Sequence, residues 1–125
     1  MRYIVIVIGI IVISTIRSFA IELSKEYTFC SLTRIGETQG NLLAEGKPTH
    51  SLLCKTGCWL ATKIAHDEID TVTKLSDVTM EDAEKLMYST CVYACTHPTK
   101  AYSSEAEAYK DLEKQINACA DLFQR

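Results

Sequence analysis

The cysteines are the residues of this chain whose number and spacing most clearly indicate a specific chemistry. Six cysteines, separated by 23, 3, 32, 3 and 23 residues, occur at positions Cys30, Cys54, Cys58, Cys91, Cys95 and Cys119. An even cysteine count in a small secreted domain indicates disulfides, each adding about 2–4 kcal/mol of stability. Zinc is the alternative partner for paired cysteines, but structural zinc sites favour closer cysteine spacing. We therefore predict three disulfides, with no bound metal and no cofactor.

The spacing also restricts how the cysteines pair. Cys54 and Cys58 are four residues apart, as are Cys91 and Cys95, so on a helix their Cβ atoms lie about 5–6 Å apart. A disulfide needs about 3.8 Å between Cβ atoms, so neither pair closes on itself. Of the 15 possible pairings, ten remain. One of the ten is a helical-hairpin scheme with Cys54–Cys95, Cys58–Cys91 and Cys30–Cys119.

The elements that must position the cysteines are predicted to be helices. Apolar residues recur at helical intervals, no segment alternates like a strand, and the expected class is all-α, a compact disulfide-linked bundle of five to six helices around an apolar core or cavity. The predicted segments are a short helix over 21–32 that Gly36 breaks, a short helix within 37–45 ended by Gly46, a helix over 49–65, one or two turns over 69–75, a helix over 79–96, and a helix from 104 to the C-terminus.

Three predicted helices carry start signals or inward stripes. Thr49 is expected to cap the third segment, whose inward face would hold Leu53, Gly57, Leu60 or Ala61, and Ile64. Thr79 is expected to cap the helix that ends at His97-Pro98, and Ser104 forms a capping box with Glu107. The inward residues of the last two helices are predicted to be Ala83, Met87, Cys91, Ala94 and Cys95, and then Tyr109, Leu112, Ile116, Cys119 and Phe123.

The first twenty residues predict a cleaved signal peptide. Arg2 precedes an apolar run from Tyr3 to Ile13, and Ser18-Phe19-Ala20 is a small-x-small cleavage pattern. A membrane anchor is the competing interpretation, but the run is shorter than the roughly 20 residues needed to span a bilayer. We therefore expect a secreted, extracellular chain whose residues 21–125 form a single six-cysteine domain without membrane insertion.

The charge balance of this mature chain excludes one class of partner. It carries 16 acidic and 11 basic residues, with no basic stripe. Nucleic-acid binding requires lysines and arginines that replace phosphate counterions, so we expect no nucleic-acid partner.

The stretch from Cys30 through Leu42-Leu43-Ala44-Glu45-Gly46 to Leu53-Cys54-Lys55-Thr56-Gly57-Cys58-Trp59-Leu60, followed by Met80-Glu81-Asp82-Ala83-Glu84-Lys85, resembles the insect odorant-binding proteins. The chain departs from the family in its C-terminal third. Lys110 occupies the usual place of the fifth cysteine, and Cys95 follows Cys91 instead. The family's pairing would imply Cys30–Cys58, Cys54–Cys95 and Cys91–Cys119.

The resemblance implies a secreted carrier that binds a small hydrophobic ligand, such as an odorant, pheromone or lipid-like molecule, in an internal apolar cavity. Burial of apolar surface provides the affinity for such binding. Filling of a solid core is the alternative role for these side chains. The residues from which the cavity would be lined are Leu53, Trp59, Leu60, Ile64, Met87, Tyr88, Tyr93, Leu112, Ile116 and Phe123, with Met87 and Trp59 favoured.

A second hypothesis is a secreted venom, salivary or reproductive-fluid protein that acts through its surface on a receptor or host protein. It predicts an exposed apolar or charged patch in place of a cavity. The partners expected for the chain also include a second copy of itself, in a weak homodimer. The sequence contains no recognisable nucleophile or metal motif, so we do not expect an enzyme. His50, His66 and His97 lie near predicted helix ends, where they are either solvated or a pH trigger for release.

Overall fold

The computed structural model describes residues 23–123, so the predicted signal peptide lies outside the described residues. This part of the chain consists of helices and connections without a strand, which confirms the all-α prediction and the lower of the two expected helix numbers. The five helices are α1 (Lys25–Ala44), α2 (Ser51–Ile64), α3 (His66–Ser76), α4 (Met80–Thr96) and α5 (Glu105–Phe123).

The prediction of two short helices at the N-terminal end was wrong, because α1 runs without interruption through Gly36 and Gly40. The two glycines lie where α1 crosses α4. A Cβ added at Gly36 would lie 2.7 Å from the carbonyl oxygen of Met87, and one at Gly40 would lie 2.7 Å from the Cβ of Ala94. The glycines therefore allow two helices to approach closely, and they do not end α1.

The predicted helix end at Gly46 is confirmed, because α1 ends at Ala44, two residues before this glycine. Glu45 adopts a left-handed conformation with φ 51°, and Gly46 follows with φ 84°. At the other end of α1, the Ser24 hydroxyl accepts a hydrogen bond from the Tyr27 amide. These are common ways of satisfying the free backbone groups at helix ends.

The start of α2 differs from the prediction. The helix begins at Ser51, and His50 Nδ1, not the Thr49 hydroxyl, accepts from the amide of Leu52. The Thr49 hydroxyl instead donates to the Lys47 carbonyl, and the Thr49 amide donates to the Cys95 carbonyl at the end of α4. Thr49 therefore stabilises the α1–α2 connection, and the capping position belongs to His50.

The predicted caps of the last two helices are confirmed, because the Thr79 hydroxyl accepts from the Asp82 amide and the Ser104 hydroxyl accepts from the Glu107 amide. The reciprocal half of the predicted capping box differs, because Glu107 Oε2 accepts from the amide of Ser103 and not from that of Ser104. Helix α4 ends at Thr96, directly before His97-Pro98. Helix α3, which follows α2, has eleven residues and is therefore longer than the one or two turns that the sequence predicts. Its residues Ile69 and Val72 are buried.

The three disulfides follow the helical-hairpin scheme: Cys54–Cys95, Cys58–Cys91 and Cys30–Cys119. Two of the pairings implied by the odorant-binding resemblance, Cys30–Cys58 and Cys91–Cys119, are therefore wrong. The first two disulfides join α2 to α4 as neighbouring rungs, and the third joins α1 to α5.

The apolar interior has two parts. The larger cluster includes Leu32, Ile35, Met87, Leu112 and Ile116, contributed by α1, α4 and α5, with Ile69 and Val72 from α3. A smaller cluster consists of Leu43 and the four cysteines of the two rungs. Helix α1 makes its most extensive contact with α4 and also packs on α5, so it forms the centre of the bundle.

Candidate functional site

Helix α2 places its large apolar side chains outward. Leu52 is 66% exposed, Leu53 53%, Trp59 54% and Ile64 57%, and Leu60 is half-buried. At 100° per residue these five positions fall within an arc of about 140°. We call this set, Leu52, Leu53, Trp59, Leu60 and Ile64, the outer face of α2.

The side of α2 that faces the bundle carries small residues, namely Cys54, Gly57, Cys58, Ala61 and Thr62. The two rungs set this arrangement, because they hold α2 and α4 with Cα–Cα distances of 5.7 and 5.8 Å. At that separation little room remains for a leucine or tryptophan between the helices. A Cβ added at Gly57 would already lie 3.1 Å from Leu43.

The prediction that Leu53 and Ile64 face inward was therefore wrong. The predicted stripe was Leu53, Gly57, Leu60 or Ala61, and Ile64, and of these Gly57 and Ala61 are buried, together with the two cysteines and Thr62. The cysteines, which must face α4, determine the rotation of the helix. The outer face also includes Leu52, which the sequence reasoning did not single out; its place beside Leu53 was the available signal.

Lysines flank the outer face. Lys63 lies among its apolar members, with its Nζ 6.0 Å from the centre of the Trp59 ring and 3.4 Å from Glu84 Oε2 on α4. Lys55 is exposed one turn before Trp59. The α2 sequence contains no acidic residue, which distinguishes it from the other four described helices.

The other predicted ligand-binding residues do not come together at one site. Met87, Leu112 and Ile116 lie in the larger core cluster, which supports the solid-core alternative for these three. Tyr88 is half-buried against the disulfide rungs. Tyr93 on α4 and Phe123 at the end of α5 are exposed, so the prediction that Phe123 faces inward was wrong.

Tyr93 belongs to an open groove of about 350 Å³. Its ring stacks on His97 with a centroid distance of 4.9 Å, and Thr90 and Ala94 contribute to the wall. Of the ten predicted ligand-binding residues, Tyr93 is the one that lines any of the grooves we describe, all of which open to solvent.

A polar cluster surrounds Asp111 on α5, beside a second groove of about 330 Å³. Asp111 Oδ2 accepts from Lys100 Nζ at 2.8 Å and from Tyr102 Oη and Gln115 Nε2 at 2.7 Å. Burial, and then the hydrogen bond to this carboxylate, raise the pKa of Tyr102 above its ordinary range. Burial alone would raise the pKa of Asp111, but the hydrogen bonds from Lys100 and Tyr102 outweigh it and lower the pKa.

The three histidines have different surroundings. His50 caps α2, His66 Nδ1 lies 4.0 Å from Glu84 Oε2, and His97 stacks on Tyr93 and contacts the Thr96 hydroxyl. Each histidine thus contacts a different partner.

Comparison with known proteins finds no matching family model, no matching curated protein and no matching solved structure. The resemblance to insect odorant-binding proteins thus stays a prediction. None of the helices in the described part of the chain is long and apolar enough to cross a membrane. Three disulfides are typical of extracellular or secreted proteins. Within residues 23–123, no three side chains of the metal-binding types are grouped to hold an ion.

Proposed function

We propose that this chain is a secreted, non-catalytic interaction protein that acts through the outer face of α2. The observation that carries the proposal is the inverted arrangement of that helix, with small residues toward the bundle and four large apolar side chains exposed beyond half. Exposed apolar patches on soluble proteins commonly mark interaction sites.

The cross-links support this role. A helix that exposes leucine, isoleucine and tryptophan gains little stability from its own inward contacts, which here involve mostly small side chains. Two disulfides from α2 to α4 hold it in place without large buried apolar residues. The large residues of α2 thus remain available to contact another molecule.

The test compares cell binding by surface variants of the protein secreted from eukaryotic cells that express the full chain. Mass spectrometry of the secreted protein first locates its N-terminus, which we expect at Ile21. We then expect saturable binding of the labelled protein to intact cells. Leu53→Ser combined with Ile64→Ser should weaken binding at least tenfold, because it removes about half of the exposed apolar area of the face.

Leu122→Ser combined with Phe123→Ser is the matched control, because these two apolar residues are exposed and lie off α2. It should bind like the wild type. Binding that is unsaturable, or lost equally in both double variants, contradicts the proposal, as does retention of the N-terminal twenty residues by the secreted chain.

The carrier of a small hydrophobic ligand is the second proposal, and the Tyr93 groove is the observation that favours it. The stacked Tyr93 and His97 rings offer an aromatic wall for a small apolar molecule. One-to-one binding of a fluorescent apolar probe that fatty acids, terpenoids or aromatic volatiles displace, and that Tyr93→Ser abolishes, is the expected result. Probe binding that Tyr93→Ser leaves unchanged contradicts a carrier site in this groove.

A further inference from the structure

We propose that the partner of the outer face of α2 is an anionic lipid surface. This inference rests on the proposed function and specifies what the face contacts. Three features of the face carry it: its charge, its convex shape and the placement of its single tryptophan.

Charge is segregated along the chain. Residues 46–66, which contain α2, include Lys47, Lys55 and Lys63 and no aspartate or glutamate, whereas the chain as a whole has 16 acidic residues. Glu84 from α4 lies 3.4 Å from Lys63 and 4.0 Å from His66, and Glu45 and Asp67-Glu68 border the segment in the sequence. Helix α2 itself thus carries positive and no negative side chains in an otherwise negative molecule, which complements an anionic surface.

The same charges disfavour a second copy as the occupant. In a two-fold symmetric contact the same patch is used on both subunits. Two α2 faces packed together would bring Lys55 and Lys63 close to the lysines of the other copy. Like charges in a contact weaken it, so the face is better matched to a negative partner than to itself.

The shape of the face favours lipid over a peptide. The outer face is the convex side of one helix, and none of the grooves we describe is lined by its residues. A peptide that binds through apolar anchors usually docks in a groove. A bilayer interface adapts to a convex apolar helix, which enters the boundary between headgroups and acyl chains.

Trp59 and Lys63 fit this environment. Tryptophan is enriched at membrane–water interfaces because it combines a broad apolar ring with one polar N–H group. Lys63 lies within 6.0 Å of that ring and has an apolar stem that can lie along the interface while its charge reaches the headgroups. Lys47 and Lys55 are exposed; Lys47 lies in the connection that leads into α2, and Lys55 lies on α2 between Leu53 and Trp59.

The experiment titrates the secreted, oxidised protein with protein-free vesicles. Trp59 is the only tryptophan in the chain, so its emission reports on this face alone. Vesicles that mix phosphatidylcholine with phosphatidylserine should shift the emission to the blue and sediment with the protein. Vesicles of phosphatidylcholine alone should bind at least tenfold more weakly, and added salt should reduce binding to the mixed vesicles.

Two lysine double variants distinguish the effect of charge near the outer face of α2 from the effect of the net charge of the protein. Lys47→Gln combined with Lys55→Gln should weaken binding to mixed vesicles about 20- to 30-fold, at roughly fivefold per lysine near an anionic surface. Lys110→Gln combined with Lys114→Gln removes two exposed lysines from α5 and should change binding less than threefold. The Leu53→Ser and Ile64→Ser double variant should not bind either vesicle.

Equal binding to both vesicle types, equal effects of the two lysine pairs, or absence of binding to the mixed vesicles overturns the lipid assignment. Protease treatment of intact cells separates it from the broader proposal. If cell binding depends on α2 but is lost after protease treatment, the face contacts a protein, so the proposed function stands and the lipid inference fails. A dimer in sedimentation that buries Trp59 also overturns it.

Discussion

Among single residues, Asp111 on α5 forms hydrogen bonds with Lys100 and Tyr102 of the α4–α5 connection and thereby holds this connection against the helix. Its Oδ2 atom accepts from Lys100, Tyr102 and Gln115, and the charge of Lys100 adds to the hydrogen bonds in lowering the pKa of the carboxyl group. A carboxyl whose pKa is lowered on folding stabilises the protein above its unfolded pKa of about 3.9. That contribution is lost as the pH falls through the folded value.

We therefore expect Asp111→Asn to lower the free energy of unfolding at pH 7 by about 1 kcal/mol. The difference from wild type should shrink as the pH falls through the lowered pKa of folded Asp111, because the carboxyl group is then neutral like the amide. Urea unfolding at a series of pH values measures this. Glu113→Gln, an exposed change on the same helix, is the control, and a loss that stays constant down to acid pH would contradict the ionic origin.

Gly40 supplies a second prediction at this scale. In an exposed helix, replacement of glycine by alanine raises stability by about 0.5–1 kcal/mol. At Gly40 the new Cβ would lie 2.7 Å from Ala94 Cβ and 2.9 Å from the Cys95 amide nitrogen, so we expect Gly40→Ala to reduce stability by about 1–3 kcal/mol. Gly57→Ala meets only the flexible Leu43 side chain and should cost less. Stabilisation by Gly40→Ala in thermal unfolding would refute the close crossing.

At the level of secondary-structure elements, the sequence predicts that α2 exists but not which of its sides faces the bundle. The existence of this helix, and the starts of α4 and α5, follow from local capping signals and apolar intervals. The rotation of α2 does not, because two apolar stripes compete and a long-range constraint, the disulfides to α4, selects between them. Likewise, local propensity suggests a break at Gly36, whereas contact with α4 favours a continuous α1.

This element-scale account predicts different costs for similar substitutions. Leu53→Ala should lower the free energy of unfolding by less than about 1 kcal/mol, because Leu53 already faces solvent. Leu112→Ala should cost about 2–5 kcal/mol, because Leu112 is 1% exposed in the larger cluster. Urea unfolding of both variants makes the comparison. Equal losses would mean that α2 packs inward as the leucine stripe predicted.

At the scale of the whole molecule, the three disulfides have unequal roles. Cys30–Cys119 joins segments 89 residues apart, whereas Cys58–Cys91 repeats a connection already made by Cys54–Cys95. With Cys54–Cys95 intact, Cys58–Cys91 closes an additional loop of only about eight residues, and Cys30–Cys119 one of about 50. The chain-entropy relation then gives about 2.5 and about 4 kcal/mol, respectively.

Replacing both cysteines of Cys30–Cys119 by alanine should therefore destabilise the fold more than the same change at Cys58–Cys91, by about 1.5 kcal/mol. Each double variant deletes the same atoms, so side-chain volume is matched. Denaturant unfolding under oxidising conditions measures the free energy of unfolding of both variants. A larger loss for the Cys58–Cys91 variant would contradict the conclusion that Cys54–Cys95 already makes most of the connection between α2 and α4.

The most direct test of the outward apolar face is acrylamide quenching of Trp59 in the free, oxidised protein at low concentration. We expect efficient quenching, at a substantial fraction of that of a small tryptophan derivative in water, because Trp59 is 54% exposed and the chain has no other tryptophan. Soluble apolar ligands should leave it unchanged. Strong protection from acrylamide, with blue-shifted emission before any partner is added, would contradict the account, because the face would then already be covered.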